Sequence, residues 1–234
     1  MKFGNVLAFV TAAAAFPGLQ QPSHNEELEA RDLEARQRGR VGSTAKEFTQ
    51  GGCKDVIMIF ARGSTEVGNM GTICGPPTAN AVKSQFSSMA VEGVDYAAGL
   101  STNFLPGGGD PKGISEMKRL INKAATDCPN SMLVVGGYSQ GAAVTHRAVE
   151  NLPQAQKDQI VAAFMFGDTQ KQQEGGVIAN FDPAKTKIIC NPGDAVCVGT
   201  LNILPPHLAY GARANEMADF ITQKLTAAGA QRRK

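Results

Sequence analysis

The sequence is short of net charge, of long apolar runs, of metal-ligand spacings and of histidine. Each shortage narrows the function. Lys and Arg number 23 against 21 Asp and Glu, a formal net charge of +2. That is too near neutral for a nucleic acid or another polyanion to be the main partner. No apolar stretch is long enough to span a bilayer, so no integral membrane segment is expected. No Cys-x-x-Cys pair or nearby His cluster exists, so zinc is not expected, nor any other metal or cofactor. No internal repeat is visible. Histidine occurs only three times, which leaves few candidates for any chemistry that needs an imidazole.

What is present fits one globular domain, expected to act as a monomer. The 234 residues are 42% hydrophobic and 19% charged, enough to bury a real core. Lys2 precedes an apolar stretch from Phe3 to Phe16. Ala13-Ala14-Ala15 supplies small residues for a signal peptidase, so residues 1–15 read as a secretory signal and the protein as extracellular. Residues 16–36 are polar and charged, with no face apolar enough to dock firmly. They read as a pro-segment or disordered arm, leaving 37–234 as the folded domain.

Export makes disulfides the expected use of the five cysteines. Cys190 and Cys197 are close enough in sequence to clip one loop. Cys53 and Cys128 each stand just before an expected strand and can meet at one edge of a parallel sheet. The long bridge would contribute about 4 to 5 kcal/mol and the short one about 2 to 3 kcal/mol on the loop-entropy model. Cys74 is left over, as a free thiol or as a partner that would overturn this pairing.

Strand-like and helix-like stretches alternate. The expected strands are 55–62 (DVIMIFAR), a short one near 94–98, 132–135 (MLVV), 160–166 (IVAAFMF) and 187–190 (KIIC). Helical spacing appears over 78–91, from Asp110-Pro111 through Ala124, over 142–152, and in a last segment with Met217, Phe220, Ile221 and Leu225. The pattern predicts an α/β fold with about five parallel strands covered on both faces. Little length remains for a lid domain.

Gly137-Tyr138-Ser139-Gln140-Gly141 lies between a buried strand and a helix, the setting of a nucleophile elbow. There the serine sits on a strained turn above the sheet. The following helix aims its N-terminal amides at the same place. A serine nucleophile needs a base. His24 lies in the leader. His146 is seven residues beyond Ser139 on the same helix, two turns or about 10 Å away, and reads as a surface or packing histidine. His207 remains, after the rigid Leu204-Pro205-Pro206. For the order Ser…Asp…His, two aspartates follow strand ends. Asp194 is preferred because a Cys190–Cys197 clip would fix its loop, and Asp168 is the rival. Beside the Gln140 amide, the turn 61–66 is a natural source of a second oxyanion donor. Ser64 there offers an amide and a hydroxyl, unless it merely caps the turn.

These residues resemble the fungal cutinases. The matching stretches are Phe60-Ala61-Arg62-Gly63-Ser64-Thr65-Glu66 with Gly68-Asn69, and Gly137 to Ala142. They continue in Cys190-Asn191-x-Gly193-Asp194-x-Val196-Cys197 and Pro206-His207-Leu208-Ala209-Tyr210-Gly211. Leu33-Glu34-Ala35-Arg36-Gln37 is similar to that family's pro-segment. The resemblance covers residues 37–225. It implies a compact three-layer α/β-hydrolase without a lid, cleaving the plant polyester cutin and soluble esters. It implies Ser139 as nucleophile, His207 as base, Asp194 as orienting acid, and Ser64 with Gln140 as oxyanion hole. It also implies the bridges Cys53–Cys128 and Cys190–Cys197.

A polymeric or lipidic ester needs an open site. Leu100, Phe104 and Leu105 in one loop, and Leu201, Ile203 and Leu204 in another, are candidates to rim it, unless they anchor their loops to the core. An acetylxylan esterase or small lipase shares the same machinery. A non-catalytic surface-binding protein on the fold would not need both Ser139 and His207.

Overall fold

In the computed structural model the described residues are 26–28, 30, 31, 33 and 39–233. The signal reading of 1–15, most of the arm at 16–36, and His24 lie outside them. The strands are β1 (Val56–Ala61), β2 (Met89–Gly93), β3 (Met132–Tyr138), β4 (Ile160–Phe166) and β5 (Thr186–Ile189). The helices are α1 (Glu47–Gly51), α2 (Gly75–Lys83), α3 (Pro111–Asp127), α4 (Gln140–Val149), α5 (Gln154–Gln159) and α6 (Ala214–Ala227).

The strands form one parallel sheet in the order β2-β1-β3-β4-β5. Their side chains alternate between two cores, as the two-residue strand period requires. Val56, Met58, Phe60, Val134, Phe164 and Phe166 pack with Met217, Ile221 and Leu225 of α6 and Val82 of α2. Ile57, Ile59, Leu133, Val135, Ala163 and Met165 pack with Met117, Leu120 and Ile121 of α3 and Val144 of α4. A sheet covered on both faces needs strands apolar at every position, which is why β1 and β4 read as unbroken runs. The chain turns outward from β1 to β2, then crosses back to place β3 on the other side of β1. That reversal opens a crevice between the carboxyl ends of β1 and β3, where α/β sheets bind their ligands.

Three expectations are corrected. Helix 78–91 stops at Lys83, and the short strand is 89–93 rather than 94–98. Phe86 and Met89 are buried and so mimic a continuing helical stripe, but Met89 already pairs with Val56 in the sheet. The helix expected through Leu152 ends at Val149, and Pro153 instead caps α5, which the sequence reading had not separated. By contrast α3 begins where expected. Asp110 accepts a hydrogen bond from the Lys112 amide at 2.8 Å, with Pro111 in the first turn.

Cys53 is bonded to Cys128, at a Cα separation of 5.5 Å, and Cys190 to Cys197 at 6.2 Å. Cys74 is a buried free thiol at the start of α2. It fills core volume beside Phe60. Among the described residues no helix is long and apolar enough to cross a membrane.

Candidate active site

At the end of β3 the chain turns sharply into α4. Ser139 has φ 55° and ψ −118°, a conformation non-glycine residues adopt only when the surroundings force it. The forcing is visible in the flanking glycines. A Cβ on Gly137 would lie 2.0 Å from the Gly141 carbonyl oxygen, and one on Gly141 would lie 2.0 Å from the Ala61 carbonyl oxygen. Only glycine lets α4 start so close to the ends of β1 and β3. The Ser139 amide donates to Phe166 O at 3.0 Å, which ties the turn to β4.

Ser139 Oγ lies 2.9 Å from His207 Nε2, and His207 Nδ1 lies 2.9 Å from Asp194 Oδ2. All three residues are buried. A carboxylate only accepts, so the ring carries its proton on Nδ1 and leaves Nε2 to accept from the serine hydroxyl. His207 sits in a 3-10 turn, Pro205–Leu208. Its carbonyl accepts from Tyr138 Oη at 2.7 Å, and the Tyr138 ring lies 5.1 Å from the imidazole. Gly167, with φ 52°, makes room below: a Cβ there would be 2.8 Å from His207 Cε1. Asp194 follows β5, inside the Cys190–Cys197 loop. Its Oδ1 accepts from the Val196 amide at 3.0 Å.

Beyond β1, Ser64 Oγ accepts from Asn103 Nδ2 at 2.9 Å and from Gln140 Nε2 at 3.1 Å. Two donors on its oxygen leave the hydroxyl proton as the part that can be offered elsewhere. Gln140 heads α4, where backbone amides have no partner within the helix. The turn holding Ser64 is braced by Glu66, whose carboxylate accepts from the amides of Gly63, Thr72 and Ile73 at 2.9, 2.8 and 2.9 Å.

Ser64, Ser139 and His207 share the wall of a cavity of about 360 Å³, together with Leu100, Phe104, Leu201 and Ile203. Leu105 and Leu204 are exposed but do not line it. Ile73, Val196 and Leu208 do line it, and the sequence reading had not marked them. Phe104 is 77% exposed, Leu100 60% and Ile203 50%. Side chains so open to solvent do not anchor loops.

Asp168 and His146 meet elsewhere. Both are fully buried. His146 Nε2 lies 3.0 Å from Asp168 Oδ2, and Nδ1 lies 2.8 Å from Glu174 Oε2. Glu174 is also paired with Arg147, and Arg147 with Glu150 at 3.0 Å. The surface alternative for His146 is therefore corrected to a buried, hydrogen-bonded one.

The sequence reading missed Asn103, Tyr138, Glu66 and Tyr210, whose hydroxyl reaches Asp194 Oδ2 at 2.5 Å. Glu66, Tyr138 and Tyr210 lie within the named motifs, so their place there was a usable signal. For Asn103, 39 residues from Ser64, no sequence signal existed. Among the described residues no group of His, Cys, Asp and Glu is arranged to hold a metal ion.

Comparison with known proteins places these features in context. A family model described as Cutinase matches residues 52–225. The chain is 51% identical over 195 residues to Cutinase CUT2 of Pyricularia oryzae, covering 82% of this chain and 90% of that protein. It is 41% identical over 235 residues to a cutinase of Fusarium solani subsp. cucurbitae, covering 97% and 98%. A Trichoderma reesei cutinase solved in complex with a phosphonate inhibitor superposes with a TM-score of 0.70 at 34% identity, over 85% of this chain and 86% of that one.

Proposed function

The chain belongs to the cutinase family, and on that premise we propose that it is a secreted serine esterase acting on cutin and short soluble esters through an acyl-enzyme on Ser139. It is a carboxylic ester hydrolase. The observation that carries the finer reading is the unbroken hydrogen-bonded series Ser139–His207–Asp194 at the wall of an apolar, open-rimmed cavity.

In the proposed cycle His207 Nε2 takes the Ser139 proton as Oγ attacks the ester carbonyl. Asp194 holds the ring in the required tautomer and balances the imidazolium that forms. The carbonyl oxygen, now negative, receives the Ser64 hydroxyl and the Gln140 amide. His207 then protonates the departing alcohol. A water, deprotonated by the same ring, releases the acid and restores the serine. The exposed side chains of Leu100, Phe104, Leu201 and Ile203 would lie against the aliphatic stretches of the polymer.

Secretion is supported by the apolar stretch after Lys2 and by two disulfides, which persist in oxidising compartments. We read 1–15 as the export signal, 16–36 as a pro-segment and 37–234 as a hydrolase domain working as a monomer.

A phosphonate ester should label one serine per chain, mapped by mass spectrometry to Ser139, with loss of all ester turnover. Labelling elsewhere overturns the assignment. Release of long hydroxy acids from cutin should exceed release of acetate from acetylated xylan, and the reverse would make the chain an acetylxylan esterase on this scaffold. Ile203→Ser should cost about ten-fold on polymer and less than about three-fold on a short soluble ester.

A further inference from the structure

Asp194 is held from a side the proposed cycle does not use. Tyr210 is fully buried, 16 residues along the chain, and its ring stands edge-on to His207 with centroids 6.0 Å apart. Its oxygen accepts from the Asn191 amide at 2.9 Å. An amide can only donate, so the phenolic proton is left to point at Asp194 Oδ2, 2.5 Å away. That oxygen therefore receives two donors, Tyr210 Oη–H and His207 Nδ1–H. Oδ1 receives a third from the Val196 amide. Gly167 shows how closely the two rings are matched: a Cβ there would lie 2.8 Å from both His207 Cε1 and Tyr210 Cε2.

We propose that Tyr210 is a positioning residue that fixes the Asp194 carboxylate and moderates the charge it presents to His207. The proposal rests on the serine esterase reading above. A donor on Oδ2 withdraws negative charge from the oxygen facing the imidazolium. The ring then holds its proton less tightly and passes it on more readily. Burial, and next the bond to Asp194, push the Tyr210 phenol well above its ordinary ionisation range, so it stays a donor wherever the enzyme works.

Tyr210→Phe removes the donor and keeps the ring. With p-nitrophenyl butyrate, kcat should fall about ten-fold while KM stays within about two-fold. The acid limb of the kcat/KM profile should move to higher pH by about half a unit or more. A 3-fluorotyrosine at 210, a stronger donor, should move it to lower pH. In an Asp194→Asn background, Tyr210→Phe should add almost nothing. A folded Tyr210→Phe protein with an unshifted limb overturns the proposal. So does a lower kcat that simply adds to that of Asp194→Asn, since packing alone would do that. If Tyr210→Phe does not fold, the fluorotyrosine protein decides, and an unshifted limb again overturns the proposal. A wild-type chain that neither hydrolyses esters nor takes the phosphonate overturns the esterase reading itself. That result is distinct from an active wild type with an indifferent Tyr210→Phe.

Discussion

Two histidine–aspartate pairs are buried in this fold, and they differ in what faces the far side of the ring. His207 has Asp194 on Nδ1 and the Ser139 hydroxyl on Nε2. His146 has Asp168 on Nε2 and Glu174 on Nδ1. A hydroxyl can donate, so a neutral His207 keeps a lone pair aimed at a transferable proton. Both ring nitrogens of His146 face carboxylate oxygens, so neither is aimed at a transferable hydroxyl proton. These buried hydrogen bonds tie α4 to the chain beyond β4. The third partner, more than the His–Asp contact, separates the proposed base from a brace.

The largest expected effects fall on the first pair. Ser139→Ala should lower kcat by about 10⁵-fold or more, and Asp194→Asn by about 10⁴-fold, each with a thermal midpoint within a few degrees of wild type. Asp168→Asn should keep kcat per folded molecule within about three-fold. Ester assays beside thermal melts test the contrast. Loss of activity in Asp168→Asn at an unchanged midpoint would exchange the two assignments.

Next in size is the brace. His146→Ala leaves Asp168 and Glu174 without the imidazole that bridges them. Removing one member of a buried charged group costs about 3 to 5 kcal/mol, which urea unfolding followed by fluorescence or circular dichroism would register. The folded fraction should still hydrolyse ester. A cost under about 1 kcal/mol would mean the cluster is well solvated despite its burial.

How far the sequence could be read follows from the same contrast. β1, β3 and β4 were legible because a strand covered on both faces has no polar interruptions, while the edge strand β5 showed only through its short apolar pair Ile188-Ile189. Helix α3 was legible from its cap and stripe. The stretch 78–91 was not, since Phe86 and Met89 keep helical spacing while belonging to a turn and a strand. At the site, the motif singled out Ser139 and the few histidines left His207, while Asp194 was preferred over its rival Asp168 for its place in the Cys190–Cys197 loop. The partners of those residues were harder. Nothing in the composition says that Tyr210 Oη turns toward Asp194, or that Asn103 crosses 39 residues to hold Ser64. Such contacts depend on how loops from different strand ends meet, which periodicity does not encode.

The smallest effect tests whether the two regions are independent. They meet along three consecutive residues of the chain. Gly167 packs against His207, Asp168 bonds to His146, and Thr169 lines the cavity. Glu174 is the outermost member of the brace, with its side chain 18% exposed and also engaged by Arg147. Glu174→Gln keeps an acceptor for His146 and removes one charge, so the cost should be about 1 kcal/mol, a midpoint lower by roughly 2–4 °C. Asp168 still bonds the Gln170 amide at 2.8 Å, which should hold the turn under His207 in place. Ester kcat and its pH profile should then match wild type at 25 °C. A shifted acid limb in Glu174→Gln would mean that charge at His146 reaches His207 through this short segment, and that the brace also tunes the base.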